Sequence, residues 1–207
     1  MTRHTWGKAL GACGLVLGIG LIAATSTSNA ADEVPKPVKD AILKIAAALE
    51  AGNKDEAKKE AEALAKMAKF DGSTPGSCET LMHVFAPRKK GGFGFGAKAK
   101  STQDGIELKV QSLGAKPLSK TLAKKEGPDI QKMAYITLAV ADVTLAAAPK
   151  KDEGKKKVKD WIKWTQEMRD AATQLAAAAA KGDAKMVQNT SKNLDGTCTR
   201  CHEVYRK

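Results

Sequence analysis

Near the end of this chain, apolar and small residues recur at alternating steps of four and three: Val187, Ser191, Leu194, Cys198, Cys201 and Tyr205. That spacing returns each residue to one side of an α-helix, so the segment must pack that side against a partner. Two of the six belong to the run Cys198-Thr199-Arg200-Cys201-His202. C-x-x-C-H is the attachment signature of a c-type haem. Two thiols three residues apart share a helical face and can add to the two vinyl groups of a haem as thioethers. His202, four residues after Cys198, brings an imidazole beneath the iron as proximal ligand.

Two other chemistries fit part of the pattern. C-x-x-C serves as a thiol redox pair in a βαβ context, and no such context is visible here. The same residues are half of a zinc site, which needs four Cys or His ligands. Beyond this cluster only Cys78 and His83 remain in the mature chain, so a Cys3His set is formally available. We adopt the haem reading, with one covalent haem c, and keep zinc and redox pair as alternatives.

The first thirty residues read as a secretory signal: a basic start (Arg3, His4, Lys8), an uncharged apolar stretch from Ala9 to Ala24, and a small-x-small site at Ser28-Asn29-Ala30. The apolar stretch is short for a bilayer span, and a retained anchor is the alternative. Residues 1–30 are therefore expected to leave, and residues 31–207 to form one domain in the periplasm or an equivalent space, with no membrane span after cleavage. Cys13 leaves with the signal. If Cys198 and Cys201 hold haem, Cys78 has no intrachain disulfide partner.

Losing Arg3 and Lys8 lowers the net charge from +12 to about +10, and two haem propionates lower it to about +8. A basic surface can mean nucleic acid. The export signal, the lack of any nucleic-acid motif and the scattering of lysines among acids at helical spacing argue against it. The expected partner is a redox protein with an acidic face.

Helical periodicity extends through most of the domain. Val38, Ile42, Ile45 and Leu49 form one stripe and Ala57, Ala61, Leu64 and Ala68 the next, with Gly52-Asn53 between them. The arrangement recurs near the C-terminus. Val158, Trp161, Trp164, Met168, Ala171, Leu175 and Ala179 precede Gly182-Asp183, and the cysteine stripe follows. Aligning Gly52 on Gly182 sets Ile45 on Leu175 and Leu64 on Leu194, a weak internal repeat of two hairpins. Between them lies a loop-rich insertion at about 71–128. It holds a turn-rich stretch, the apolar run Leu81 to Phe85 and a basic, glycine-rich loop from Arg88 to Gly96. Ser119 is expected to cap a short helix that Gly127-Pro128 breaks or kinks. Residues 129–148 are apolar on most faces and should be buried on more than one side. No stretch alternates as a strand. The expected fold is all-α: a four-helix bundle, with room for a fifth helix, holding one haem.

Because the final stripe passes through both cysteines, the haem should sit inside the bundle. Trp161, Trp164 and Met168 are candidate walls, with ordinary core packing as their plain reading. Gly196 either admits the porphyrin or tightens the helix.

A C-terminal C-x-x-C-H on the last helix of an all-α bundle resembles the class II cytochromes c, the cytochrome c-prime family. The resemblance is firmest over residues 155–206 and includes Gly182-Asp183, Gly196 and the aromatic and basic residues Tyr205 and Arg206. It implies Cys198 and Cys201 as thioether positions, His202 as proximal ligand, Arg206 near that histidine, and a tendency to form homodimers. The segment from Leu81 to Gly96 is similar to an insertion in some haem-binding relatives.

The sixth iron ligand decides the chemistry. His83 and Met133 are the leading distal candidates, with Met82 and Met67 behind them and Cys78 as a thiolate option. Each has a plain reading as core or surface residue. A six-coordinate site favours carrying single electrons. A five-coordinate site would make the protein a binding module for nitric oxide or carbon monoxide. A peroxidase needs a distal base and a channel that the sequence does not assign, so the expectation is a non-enzyme. The glycine run from Gly91 to Gly96 lacks the strand and βαβ unit of a nucleotide site. Arg88, Lys89 and Lys90 could pair with propionates or simply form a solvated loop.

Overall fold

A computed structural model describes residues 34–67, 75–96 and 103–205, and of residues 75–78 only the backbone. The expected signal sequence, the Cys78 side chain and Arg206 lie outside the described residues. Among the described residues seven α-helices form: α1 (Lys36–Glu50), α2 (Lys54–Met67), α3 (Pro75–Met82), α4 (Ile106–Ala115), α5 (Lys120–Ala146), α6 (Val158–Ala180) and α7 (Ala184–Tyr205). Two 3-10 turns, His83–Phe85 and Arg88–Lys90, join α3 to the glycine-rich loop. The protein is all-α, as expected.

Helix α5 is the centre. Its second half is buried on nearly every side, with Ile136, Thr137, Leu138, Ala139, Val140, Ala141, Val143 and Thr144 all covered. The α1–α2 hairpin packs against it, α6 packs antiparallel to it, and α7 packs on α6 and on α4. The shared core joins Ile42, Ile45 and Leu64 of the first hairpin, Ile130 and Met133 of α5, and Leu175 and Leu194 of the second.

The two hairpin turns are built alike. Gly52 and Gly182 both have positive φ, +80° and +61°. The Gly52 N–H donates to Leu49 O and Asn53 N–H to Ala48 O; Gly182 donates to Ala179 O and Asp183 to Ala178 O. This is the Schellman pattern, which satisfies two orphan carbonyls and favours glycine because other residues are strained there. Asp183 Oδ1 then caps α7 by accepting from Met186 N–H at 3.0 Å. The four residues aligned by the repeat, Ile45, Leu175, Leu64 and Leu194, are all core residues.

Three expectations are corrected. Pro128 neither ends nor separates a helix: α5 runs through it from the Ser119 cap, whose Oγ accepts from Leu122 N–H at 3.2 Å. A mid-helix proline costs roughly 3 kcal/mol, and burial of the segment from Ile130 onward on several faces outweighs that cost. The stretch expected to be turn-rich contains α3, begun by Pro75, a residue suited to a first helical turn. The insertion also contains α4, which buries Ile106, Val110 and Leu113 at steps of four and three.

The glycine-rich loop is wrapped around an ion pair. Arg88 Nη1 lies 2.5 Å from Asp104 Oδ2, and Asp104 Oδ1 accepts from the Arg88 N–H at 3.1 Å. The guanidinium also donates to the carbonyls of Phe95 and Gly96. A Cβ on Gly92 would collide with the Ala86 carbonyl, so the tight wrap requires glycine there. Arg88 is thus committed to its own loop rather than to a propionate.

Gly127 tests the α5–α6 contact. A Cβ there would lie 2.9 Å from Ala179 O. Gly127→Ala improves helix propensity by up to about 1 kcal/mol, yet the collision should make it destabilising by about 1–2 kcal/mol overall. Urea denaturation of the variant checks the sign.

Candidate functional site

The cysteine stripe has the predicted orientation. Val187, Ser191 and Leu194 are 0–1 % exposed. Cys198, Cys201, His202 and Tyr205 continue the same helix but are only half-buried. Deep burial of the α7 stripe thus gives way to partial burial from the first cysteine onward.

Both thiols are free and lie one turn apart. Burial pushes the Cys198 thiol up to about 12 and the Cys201 thiol up to about 11. Both are neutral at physiological pH. An attacking redox thiol must be a thiolate, so this environment does not suit a thiol redox pair. Among the described residues, no three His, Cys, Asp or Glu side chains gather as a metal site.

The end of α7 is held by aromatic side chains of α6. Tyr205 meets Trp161 edge to face, with ring centroids 4.9 Å apart, and Trp164 at 6.1 Å. The Trp161 Nε1–H donates to Thr144 O of α5 at 2.9 Å, and Tyr205 O–H donates to Lys157 O at 2.6 Å. Burial raises the Tyr205 phenol to about 12. On the outer side, Arg200 reaches Glu167 of α6 at 2.6 Å. Gly196 lies beneath that bridge, where a Cβ would come 3.3 Å from Arg200 Nη1.

The structure thus gathers Trp161, Trp164 and Tyr205 within a turn of Cys201. Met168 and Met133 are buried members of the shared core. His83 is half-buried in a 3-10 turn that packs on α4. Met67 is 64 % exposed, which removes it as an inward-facing ligand. Sequence reasoning missed α4 as a wall. It packs along α7, with Gly114 close against the backbone of Lys192 and Gln188 Nε2–H donating to Gly114 O at 3.4 Å. Its signal was the spacing of Ile106, Val110 and Leu113.

The class defined by these features is an all-α bundle with C-x-x-C-H on the inward face of its terminal helix. Residues 129–206 match the family model described as Cytochrome C'. This segment, which takes in most of α5 with α6 and α7, is cytochrome c'-like, and that family implies a covalently bound haem c. No curated protein and no solved structure matches the chain. The residues fit the group: two neutral thiols and an imidazole on one helix, where deep burial gives way to partial burial. No described helix is long and apolar enough to cross a membrane.

Two measurements follow. In the chain processed after Ala30, haem attachment leaves one titratable thiol after denaturation, that of Cys78; without thioethers there would be three. Tyr205→Phe keeps the ring but loses the bond to Lys157 O, and should lower stability by about 1 kcal/mol in thermal unfolding.

Proposed function

We propose that this protein is an exported mono-haem c-type cytochrome of the periplasm or an equivalent space, carrying single electrons. The observation that carries the reading is the position of Cys198 and Cys201 on the inward stripe of α7, partly buried, with His202 next to Cys201 on the same helix. When bound, haem c supplies a ferric–ferrous couple that takes up and releases one electron. Cys198 and Cys201 fix the group by two thioethers, so it cannot dissociate. His202 is its proximal ligand. Trp161, Trp164 and Tyr205 hold the end of the helix, limiting movement of that ligand between redox states. Met168 contributes to the apolar surroundings, and Arg206 lies next in sequence to the tyrosine. His83 and Met133 are the candidates for the opposite side of the iron. Electron carriage is non-enzymatic, with an acidic redox protein as partner, no nucleic acid, and a homodimer as a possible assembly.

The competing reading is a five-coordinate module for nitric oxide or carbon monoxide. The optical spectrum of the purified ferrous protein separates the two. A low-spin spectrum with slow carbon monoxide uptake is expected. A high-spin spectrum with rapid uptake would replace electron carriage with gas binding. His83→Ala or Met133→Ala should abolish the low-spin signature in whichever variant removes the sixth ligand. An unchanged spectrum clears that residue. Protein that gives up all its haem to acidified acetone would sink the covalent reading.

A further inference from the structure

The connection between α5 and α6 is strongly basic. Residues 150–159 hold Lys150, Lys151, Lys155, Lys156, Lys157 and Lys159 against Asp152 and Glu153. Helix α2, also lysine-rich, offsets Lys54, Lys58, Lys59 and Lys66 with Asp55, Glu56, Glu60 and Glu62. The loop therefore carries a net charge of +4 over ten residues (six lysines against two acids), whereas α2 is balanced.

The loop is also fixed in shape. Glu153 and Lys156 exchange two backbone hydrogen bonds, of 2.9 and 2.8 Å. Asp152 Oδ1 accepts from Val158 N–H at 2.9 Å, and its other oxygen lies 3.3 Å from Lys157 Nζ. The Val158 N–H and the neighbouring lysines hold the Asp152 carboxyl below its usual range. Lys150, Lys151, Lys155 and Lys159 are left exposed. The loop's position is tied to the site. Lys157 O accepts the Tyr205 hydroxyl, and Tyr205 is one helical turn from Cys201.

We propose that the 150–159 loop is the docking surface for a carboxylate-rich face of the electron partner. This rests on the electron-carrier reading and adds the surface and the partner's chemistry to it. A rigid cluster of like charges beside the redox group attracts an opposite field and orients the encounter, and a preformed loop loses little entropy on docking. The partner would approach the end of the bundle where α7 finishes, bringing its own redox centre near the covalent haem.

The test uses the haem-loaded protein and two small oxidants, ferricyanide as an anion and tris(phenanthroline)cobalt(III) as a cation. In one variant Lys150, Lys151, Lys155 and Lys159 are changed to Gln. In a control, Lys54, Lys58, Lys59 and Lys66 are changed to Gln, an equal loss of charge on α2. At low salt the loop variant should be oxidised by ferricyanide roughly five- to tenfold more slowly and by the cobalt complex no more slowly, with the ferricyanide difference gone near 0.5 M salt. The α2 variant should change less than twofold. A decaglutamate peptide should slow the ferricyanide reaction of the wild type but not of the loop variant. Equal slowing in both variants would assign the effect to total charge and overturn the proposal. So would loop-dependent sedimentation with phosphatidylglycerol vesicles when decaglutamate has no effect, since the surface would then be a lipid site. Wild-type protein that reacts with neither oxidant would overturn the electron-carrier reading itself, and the proposal with it.

Discussion

Helix α5 has almost no solvent face between Ile136 and Thr144. A helix apolar on most sides needs cover from more than one direction, and this requirement organises the bundle. The α1–α2 hairpin takes one side and α6 takes another. Because α6 is joined to α7 by a tight Schellman turn at Gly182, covering α5 with α6 also places the terminal helix. The cysteine stripe is therefore aimed inward by a chain of packing that begins two helices away. The close approach of Gly127 to Ala179 O sets how near α6 can lie, and so where α7 begins.

At the other end of α6 the same geometry converges on the site. Trp161 bonds the Thr144 carbonyl of α5 through its indole N–H and meets the Tyr205 ring with its edge. Tyr205 in turn bonds the loop that leads into α6. Three elements meet at one aromatic cluster, a turn from Cys201. The cluster gives the last turns of α7 a rigid support in the stretch where the helix loses the deep burial it has at Val187 and Leu194. Rigidity there matters for a one-electron couple, because a ligand that stays in place keeps the reorganisation accompanying the redox change small.

Much of this was legible in the sequence because it is local and periodic. The four-and-three stripes of α1, α6 and α7 mark their buried faces, and Gly52 and Gly182 mark two turns of the same type. The thiol pair and histidine were legible as chemistry. What escaped depends on contacts far apart in the chain. Helix α4 is ten residues long, too short to stand out by periodicity, and exists by packing on α7 across more than seventy positions, as the Gln188–Gly114 bond illustrates. The glycine run looked like a flexible basic loop because its partner, Asp104, lies sixteen residues after Arg88. Pro128 was read by its local cost, and the burial that overrides it comes from other helices.

The placement of α4 bears on the side of the iron that the attachment motif does not define. In the sequence, the insertion looked like material added between two hairpins, at a distance from the chemistry. In the structure α4 lies directly along α7, and the 3-10 turn carrying His83 packs on α4. The segment that carries α4 therefore lies alongside the helix that bears the motif. Its glycine-rich loop is held by the Arg88–Asp104 pair, a largely buried ion pair whose loss of one partner would leave an uncompensated charge. Phe93 and Phe95 of the same loop pack against the bundle core, so ion pair and core fix its shape together. On one flank α4 packs along α7, and on another the α6 aromatics brace its last turns. The five-residue motif is thus joined, on two flanks, to parts of the chain that lie outside it, and the surroundings of its cysteines and histidine are set by contacts that the motif does not contain.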